Sequence, residues 1–351
     1  MSHSVHHPWL HRFAVLTALA TLALLGIGGL VTSHGVGMAV PDWPTTYGYN
    51  MFLFPVSKWV GGIFYEHSHR LVASGVGLLT TILAGWLWFA EPRRWLRWLG
   101  VVAFFAVVIQ GVLGGLRVVL FKDEIGIFHA TLAQLFFVLV CAIALFTSEW
   151  WALNLQWVGS VGASARRGQL FLPATLLIFL QLVLGATMRH QHAGLAIPDF
   201  PLAYGKLWPA MDAVSVAGYS QHRVEVTATN PITAAQIALQ MAHRILALTI
   251  FAAVAWLAGA TRSRLGAGSP VARLTTAWFG IILLQVILGA ATVWTGKAAD
   301  IATFHVAVGA KSLVAGSLLS LLVTRANRDS AGKVDCVVEK PTPARLEALR
   351  A

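Results

Sequence analysis

Charge is what this chain has least of. Only 11% of its 351 residues are Asp, Glu, Lys or Arg, where soluble domains carry about 25%. That deficit excludes an ordinary water-soluble enzyme, and it equally excludes a disordered chain, which needs the opposite balance. Acidic residues number 14 against 25 basic ones, and no two Asp stand in a D-x-x-x-D spacing. The magnesium motifs of prenyl diphosphate chemistry are therefore missing. There are two cysteines, Cys141 inside an apolar run and Cys336 near the C-terminus. They cannot staple an extracellular fold or build a thiolate metal cage.

What is present is apolar. Hydrophobic residues make up 57% of the chain, with 14 Trp and 32 Gly, both favoured in or beside membrane helices. A spanning helix needs about 20 mostly apolar residues. Eight stretches qualify: 13–32, 68–90, 96–116, 126–147, 170–188, 235–258, 274–294 and 302–324. The first has no small-x-small cleavage site after it, and Gly26, Gly28 and Gly29 suit helix packing, so it reads as a mature helix. The expectation is an all-α polytopic membrane protein.

The formal charge of +11 reads as topology, not as nucleic-acid binding, because the basic residues are spread between apolar runs. One set of loops holds Arg12, then Arg93, Arg94 and Arg97, then Arg166 and Arg167, then Arg262, Arg264 and Arg273. The tail adds Arg325, Arg328, Lys333, Lys340, Arg345 and Arg350. The opposite loops are longer yet hold only Lys58, Arg117, Lys122, Arg189, Lys206, Arg223 and Lys297. The positive-inside rule puts both termini in the cytoplasm and loops 33–67 and 189–234 outside. The predicted location is the bacterial cytoplasmic (inner) membrane.

The chain also repeats itself. Pro41–Gly48 reads PDWPTTYG and Pro198–Gly205 reads PDFPLAYG. His69-Arg70 returns as His243-Arg244, Phe128-His129 as Phe304-His305, and the run from Gln110 to Gly114 as that from Gln285 to Gly289. Eight helices thus divide into two four-helix halves. An even helix count per half makes them parallel repeats about an axis along the membrane normal. The division predicted is a cytoplasmic N-terminus 1–12, a first half 13–147, a cytoplasmic linker 148–169, a second half 170–324 and a disordered tail 325–351.

Four histidines fall at matching places: His69 and His129, then His243 and His305. Each begins an even-numbered helix entering from the same side, so all four share a shallow depth. Imidazoles on facing helices can provide two axial ligands to a haem iron with the porphyrin between the helices. A lone membrane histidine often only hydrogen-bonds a neighbour; two pairs in matching positions argue for ligation. Arg70 and Arg244 each follow a candidate ligand and either pair with a haem propionate or snorkel to headgroups.

Glu66 breaks the symmetry. It stands three residues before His69, on the same face if the helix starts early enough, and the matching residue in the second half is Gln240. A carboxylate beside one pair and an amide beside the other point to one reacting site and one electron-handling site. The bland alternative is an interfacial Glu paired with an Arg. His67 reads as an interfacial polar residue in preference to a further ligand. Lys311, two turns inside the last helix, has no assigned role. Asp42 and Asp199 read as turn caps in loops that act as lids over each pocket. Gln110 and Gln285 read as helix-bridging amides. His34, His190, His192 and His222 read as outward-facing, with no shared role, and His3, His6, His7 and His11 as an adventitious metal-binding start.

This constellation resembles the haem A synthase family, bacterial and mitochondrial, over about residues 13–324. The residues that carry the likeness are Glu66-x-x-His69-Arg70, His243-Arg244, His129, His305 and the paired Pro-Asp-aromatic-Pro loops. The resemblance implies oxidation of the C8 methyl of haem O to a formyl group by successive hydroxylations. It implies that His243 and His305 hold a haem b cofactor, with Arg244 at a propionate. His69 and His129 hold the substrate haem O, with Arg70 at a propionate and Glu66 taking part in the oxidation. Some bacterial members carry a cysteine pair in the outer loops; its absence here matches the cysteine-free subgroup. Partners so implied are haem O, a redox partner, haem O synthase and a second copy of the chain, with no nucleic acid. The competing readings are a di-haem cytochrome b-type electron carrier, which gives no reason for Glu66, and a transporter. A transporter usually breaks its helices near the bilayer midplane, whereas the polar cluster here lies towards one surface.

Overall fold

The computed structural model describes residues 7–153, 170–222 and 231–338, with side chains described as far as Ala326. Among the described residues it is all helical. In chain order the helices are α1 (Pro8–Ser33), α2 (Gly61–Ala90), α3 (Arg94–Val119), α4 (Asp123–Thr147), α5 (Glu149–Leu153), α6 (Phe171–His190), α7 (Ala213–Gln221), α8 (Ala234–Leu265), α9 (Pro270–Trp294) and α10 (Ala299–Val338). Eight of them, all but α5 and α7, are long and apolar enough to cross a membrane. They coincide with the eight stretches read from the sequence.

Most run further than their apolar cores, because helix continues into the polar boundary wherever a cap allows it. Proline at the first turn starts α1 and α9, where its missing N–H costs nothing. A reciprocal Thr233–Gln236 capping box starts α8. Helix α2 begins at Gly61, more than a turn before the apolar stretch does, so Glu66, His67 and His69 all lie on it. At the other end α10 continues to Val338 instead of stopping at Thr324. The tail expected to be disordered from residue 325 therefore starts as helix, and residues 339–351 lie outside the described residues. So do His3 and His6, most of the linker 148–169 with Arg166 and Arg167, and Arg223.

Two apolar cores hold the bundle. The first gathers Leu10, Leu83, Leu87, Leu96, Ile143 and Phe146 from α1–α4. The second gathers Phe171, Ile250, Val254, Trp278 and Val323 from α6 and α8–α10. Trp278 is fully buried and its indole N–H donates to the Ser312 carbonyl (3.0 Å), as a buried ring nitrogen must. The halves meet where α1 packs on α10 and α4 packs on α6 and α10. Outward-facing positions are bare hydrocarbon, with Phe89, Phe105 and Leu176 all more than half exposed. An apolar surface of that kind belongs against lipid.

The loops between α1 and α2 and between α6 and α8 lie at one end of the bundle, the long-loop end. The second contains α7 and covers its own small core of Ile197, Ile232, Ile237 and Met241, with Tyr204 stacked on Tyr219 at 3.5 Å.

Candidate functional site

Each long loop contains one copy of the duplicated motif, and the two copies fold alike. Asp42 accepts the N–H groups of Tyr47 (2.8 Å) and Gly48 (2.9 Å) and the Thr45 hydroxyl (2.5 Å). Asp199 accepts those of Tyr204 (2.7 Å) and Gly205 (2.8 Å). Tyrosine and glycine take positive φ in both copies, a conformation the aspartate bonds hold in place. The tyrosine hydroxyls reach back to the carbonyls of Ala39 and Ala196. Asp42 lies outside the spans. Partial burial would raise its pKa, but the bonds from Gly48, Thr45 and Tyr47 outweigh that and hold it below 3.8. Both aspartates thus cap turns as the sequence indicates.

Helices α2 and α8 anchor these turns. Arg70 donates to the carbonyls of Asp42 (2.6 Å), Thr45 (3.0 Å) and Val40 (2.8 Å). Arg244 donates to those of Leu202 (2.8 Å) and Asp199 (2.7 Å). The terminal nitrogens expected at propionates are therefore directed at loop backbone. Beside them, Glu66 accepts the Val40 N–H (2.8 Å) and pairs with Arg70 (2.7 Å), its side chain 5% exposed. Gln240 accepts the Ile197 N–H (2.6 Å) in the same way and returns its own N–H to Gly194 and Ile197 (both 3.2 Å). Carboxylate and amide occupy one structural position in two copies.

Beneath the loops lies a single cavity of about 1880 Å³, roughly twice the upper end of the ~300–1,000 Å³ of a small-molecule site. His69, His129, His243 and His305 all line it, as do Glu66, Gln240, Arg70 and Arg244, with Trp43, Pro44, Phe200 and Pro201 at its loop side. The loops do roof the pocket. The Nδ1 atoms of His129, His243 and His305 are buried without a hydrogen-bond partner among the described residues, which is uncommon for a polar atom.

Each imidazole rests on a glycine of a neighbouring helix. A Cβ at Gly28 would lie 3.0 Å from His69, one at Gly114 3.3 Å from His129, one at Gly185 3.4 Å from His243, and one at Gly289 3.3 Å from His305. One turn earlier on three of those helices a glutamine clamps the histidine's own backbone. Gln110 donates to the His129 carbonyl (3.1 Å), Gln181 to that of His243 (3.0 Å) and Gln285 to that of His305 (2.9 Å). The sequence points to Gln110 and Gln285 as bridging amides. It also carries the third instance in Gln181 and Gly185, since residues four apart share a helix face; α1 has Leu24 where α6 has Gln181, so the repeat does not point to it.

Other expectations fall elsewhere. His67 is fully buried but does not line the cavity; it packs under the first loop between Phe54 and Trp59, near the Thr46 hydroxyl (3.2 Å). Its counterpart Met241 fills the second loop's apolar core. His190 does not face outward: its side chain is 7% exposed and lines the cavity, as do His34 and His192. Lys311 is exposed on α10 and is not a cavity residue.

The sequence matches the family described as cytochrome oxidase assembly protein over residues 50–316. It is 31% identical over 220 residues to the haem A synthase of Shouchella clausii, covering 62% of this chain and 71% of that one. The haem A synthase of Geobacillus kaustophilus is 26% identical over 353 residues, covering 95% and 98%. That of Rhizorhabdus wittichii is 25% identical over 342 residues, covering 87% and 91%. With eight apolar helices, these likenesses make the chain an integral membrane protein.

Proposed function

Because this chain belongs to the cytochrome oxidase assembly protein family, we propose that it is an enzyme of haem A biosynthesis that oxidises haem O. In this reading the C8 methyl of haem O becomes a formyl group through two hydroxylations, each a two-electron oxidation. The oxygen of each comes from water, two electrons passing to the redox partner, or from dioxygen, two electrons coming from it. The resulting hydrated aldehyde loses water. His69 and His129 hold the substrate iron, and His243 and His305 hold a haem b. When bound, haem b supplies one-electron chemistry that connects the substrate site to a redox partner. The other partners proposed are haem O synthase and a second copy of the chain.

The residues fit the groups asked of them. Four imidazoles line one cavity, three with an orphaned buried nitrogen. Among the described residues no three His, Cys, Asp or Glu side chains converge as a metal cage requires. Iron held by a pair of imidazoles therefore takes its remaining ligands from a macrocycle. The apolar side chains of Trp43, Pro44, Phe200 and Pro201 at the loop side, and the apolar side chains along the cavity walls, suit a substrate with a farnesyl tail.

The observation that carries the reading is the exchange of Glu66 for Gln240 at one structural position. Both residues accept a loop N–H; Glu66 adds an ion pair with Arg70 and Gln240 adds two donated bonds to loop carbonyls. A carboxylate adds proton uptake beside the first histidine pair, which the second pair does without.

Glu66→Gln tests this, because Gln240 shows that an amide preserves the anchor. General acid–base groups contribute about 10²–10⁴-fold, so haem A output should fall at least about a hundredfold while the haem b spectrum stays. Pigment analysis by mass, with haem O supplied, reads the result. Normal haem A from Glu66→Gln would remove Glu66 from the mechanism. A wild-type protein that carries only haem b and never modifies haem O would instead be a di-haem electron carrier.

A further inference from the structure

The cavity holds more positive charge than its own carboxylates balance, and the excess sits where the two halves meet. Arg117 stands one turn beyond Gly114, the glycine under His129. Arg189 stands one turn beyond Gly185, the glycine under His243. At three and four residues' spacing, each shares a helix face with its glycine and lies on the long-loop side of a histidine pair. Both line the cavity.

Neither arginine is saturated. Arg117 has a 16% exposed side chain and reaches Gly37 O at 3.3 Å and Asp123 at 3.5 Å, while its Nε is buried without a partner. Arg189 crosses between halves through one nitrogen, Nη2, which donates to Gly29 O and Ser33 Oγ on α1 (both 2.6 Å). The ring of His190 and Nε of Arg117 both lie against Gly126, so the imidazole and the guanidinium converge there. The carboxylate within their reach, Asp123, is 47% exposed and 3.9 Å from His190. Guanidinium groups gathered in a low-dielectric cavity with one solvated counter-ion call for further anions.

We propose that Arg117 and Arg189 are the carboxylate-binding residues of the cavity, each taking a propionate of the porphyrin held by the adjacent histidine pair. Arg70 and Arg244, whose terminal nitrogens go to the loop carbonyls, shape the roof. The inference rests on the haem-binding reading above. It adds that the anionic edges of both porphyrins turn towards the same seam between the halves. These two residues break the repeat, since their counterparts are Thr292 and Thr32. Each half therefore meets its anion from a different helix.

The test uses the full-length protein from haem-limited cells and two probes, iron protoporphyrin IX and its dimethyl ester. Soret titration reads affinity and bis-imidazole ligation without any turnover. Wild-type protein should bind the free acid at least about tenfold more tightly than the ester, as charge-assisted bonds imply. Arg117→Gln and Arg189→Gln should each lose that preference for one equivalent of porphyrin, and the Lys variants should regain part of it. Equal binding of acid and ester by the wild type, or a preference that survives both Gln variants, overturns the proposal and leaves the haem reading standing. If neither probe gives a bis-imidazole spectrum, the haem reading falls and takes the proposal with it. Arg189→Gln also removes a tie between the halves. Arg117→Gln, which breaks no bond between halves, and the wild-type comparison decide the matter if that variant does not fold.

Discussion

At the residue scale, the chemistry of this protein rests on a few polar side chains that each do structural work as well. Gln240 satisfies one N–H and two carbonyls of a loop it buries. Gln240→Leu would orphan all three at about 1–3 kcal/mol for each buried group, and thermal unfolding should show a melting point lower by several degrees. The glycines under the imidazoles act by absence. Gly289→Val would push its side chain into His305, 3.3 Å from where a Cβ would sit, and purified protein should carry several-fold less haem. Gly280→Ala on the same helix meets nothing within 4 Å and should leave haem content unchanged. Such positions are invisible in a sequence read for side chains that react, because the signal is a missing side chain one turn from a glutamine.

At the element scale, the two roof turns are self-contained units clipped to α2 and α8 by arginine. Hydrogen bonds hold the Asp42 carboxyl below 3.8, so its contribution to the first turn is complete above that value. It is lost as pH falls through the lower folded-state value. Trp43 fluorescence should therefore report loosening of the turn only in acid, and Asp42→Asn should be weaker at neutral pH and insensitive to that range. The turns were legible because Pro, Asp, Tyr and Gly recur in fixed order and each has one job. Helix ends were less so. The polar run from Glu66 to Arg70 continues a helix without adding to an apolar run, and the extension of α10 to Val338 carries no continuous apolar run.

At the scale of the whole molecule, an even number of spans puts the two ends of the chain on one side and both long loops on the other. The distribution of Lys and Arg predicts that the long-loop side is outside. With the native cysteines replaced by serine, Leu53→Cys in the first long loop should react with an impermeant maleimide on intact cells. Ser263→Cys at the end of α8 should react only after permeabilisation, and the reverse pattern would invert the assigned orientation. The paired histidines and the Glu66–Gln240 difference could be read from the sequence because duplication supplies an internal comparison. Arg117, Arg189 and His190 could not, since they lie where one half touches the other and no repeat points to them. Contacts across a seam are properties of the assembled fold.

The shared anchor at positions 66 and 240 has a historical consequence. Glutamate and glutamine codons differ by a single base, and either side chain accepts the loop N–H. One copy could thus acquire or lose a proton-handling group in one step while the loop N–H stayed bonded. Two sites of different chemistry could then descend from one while that anchor persisted.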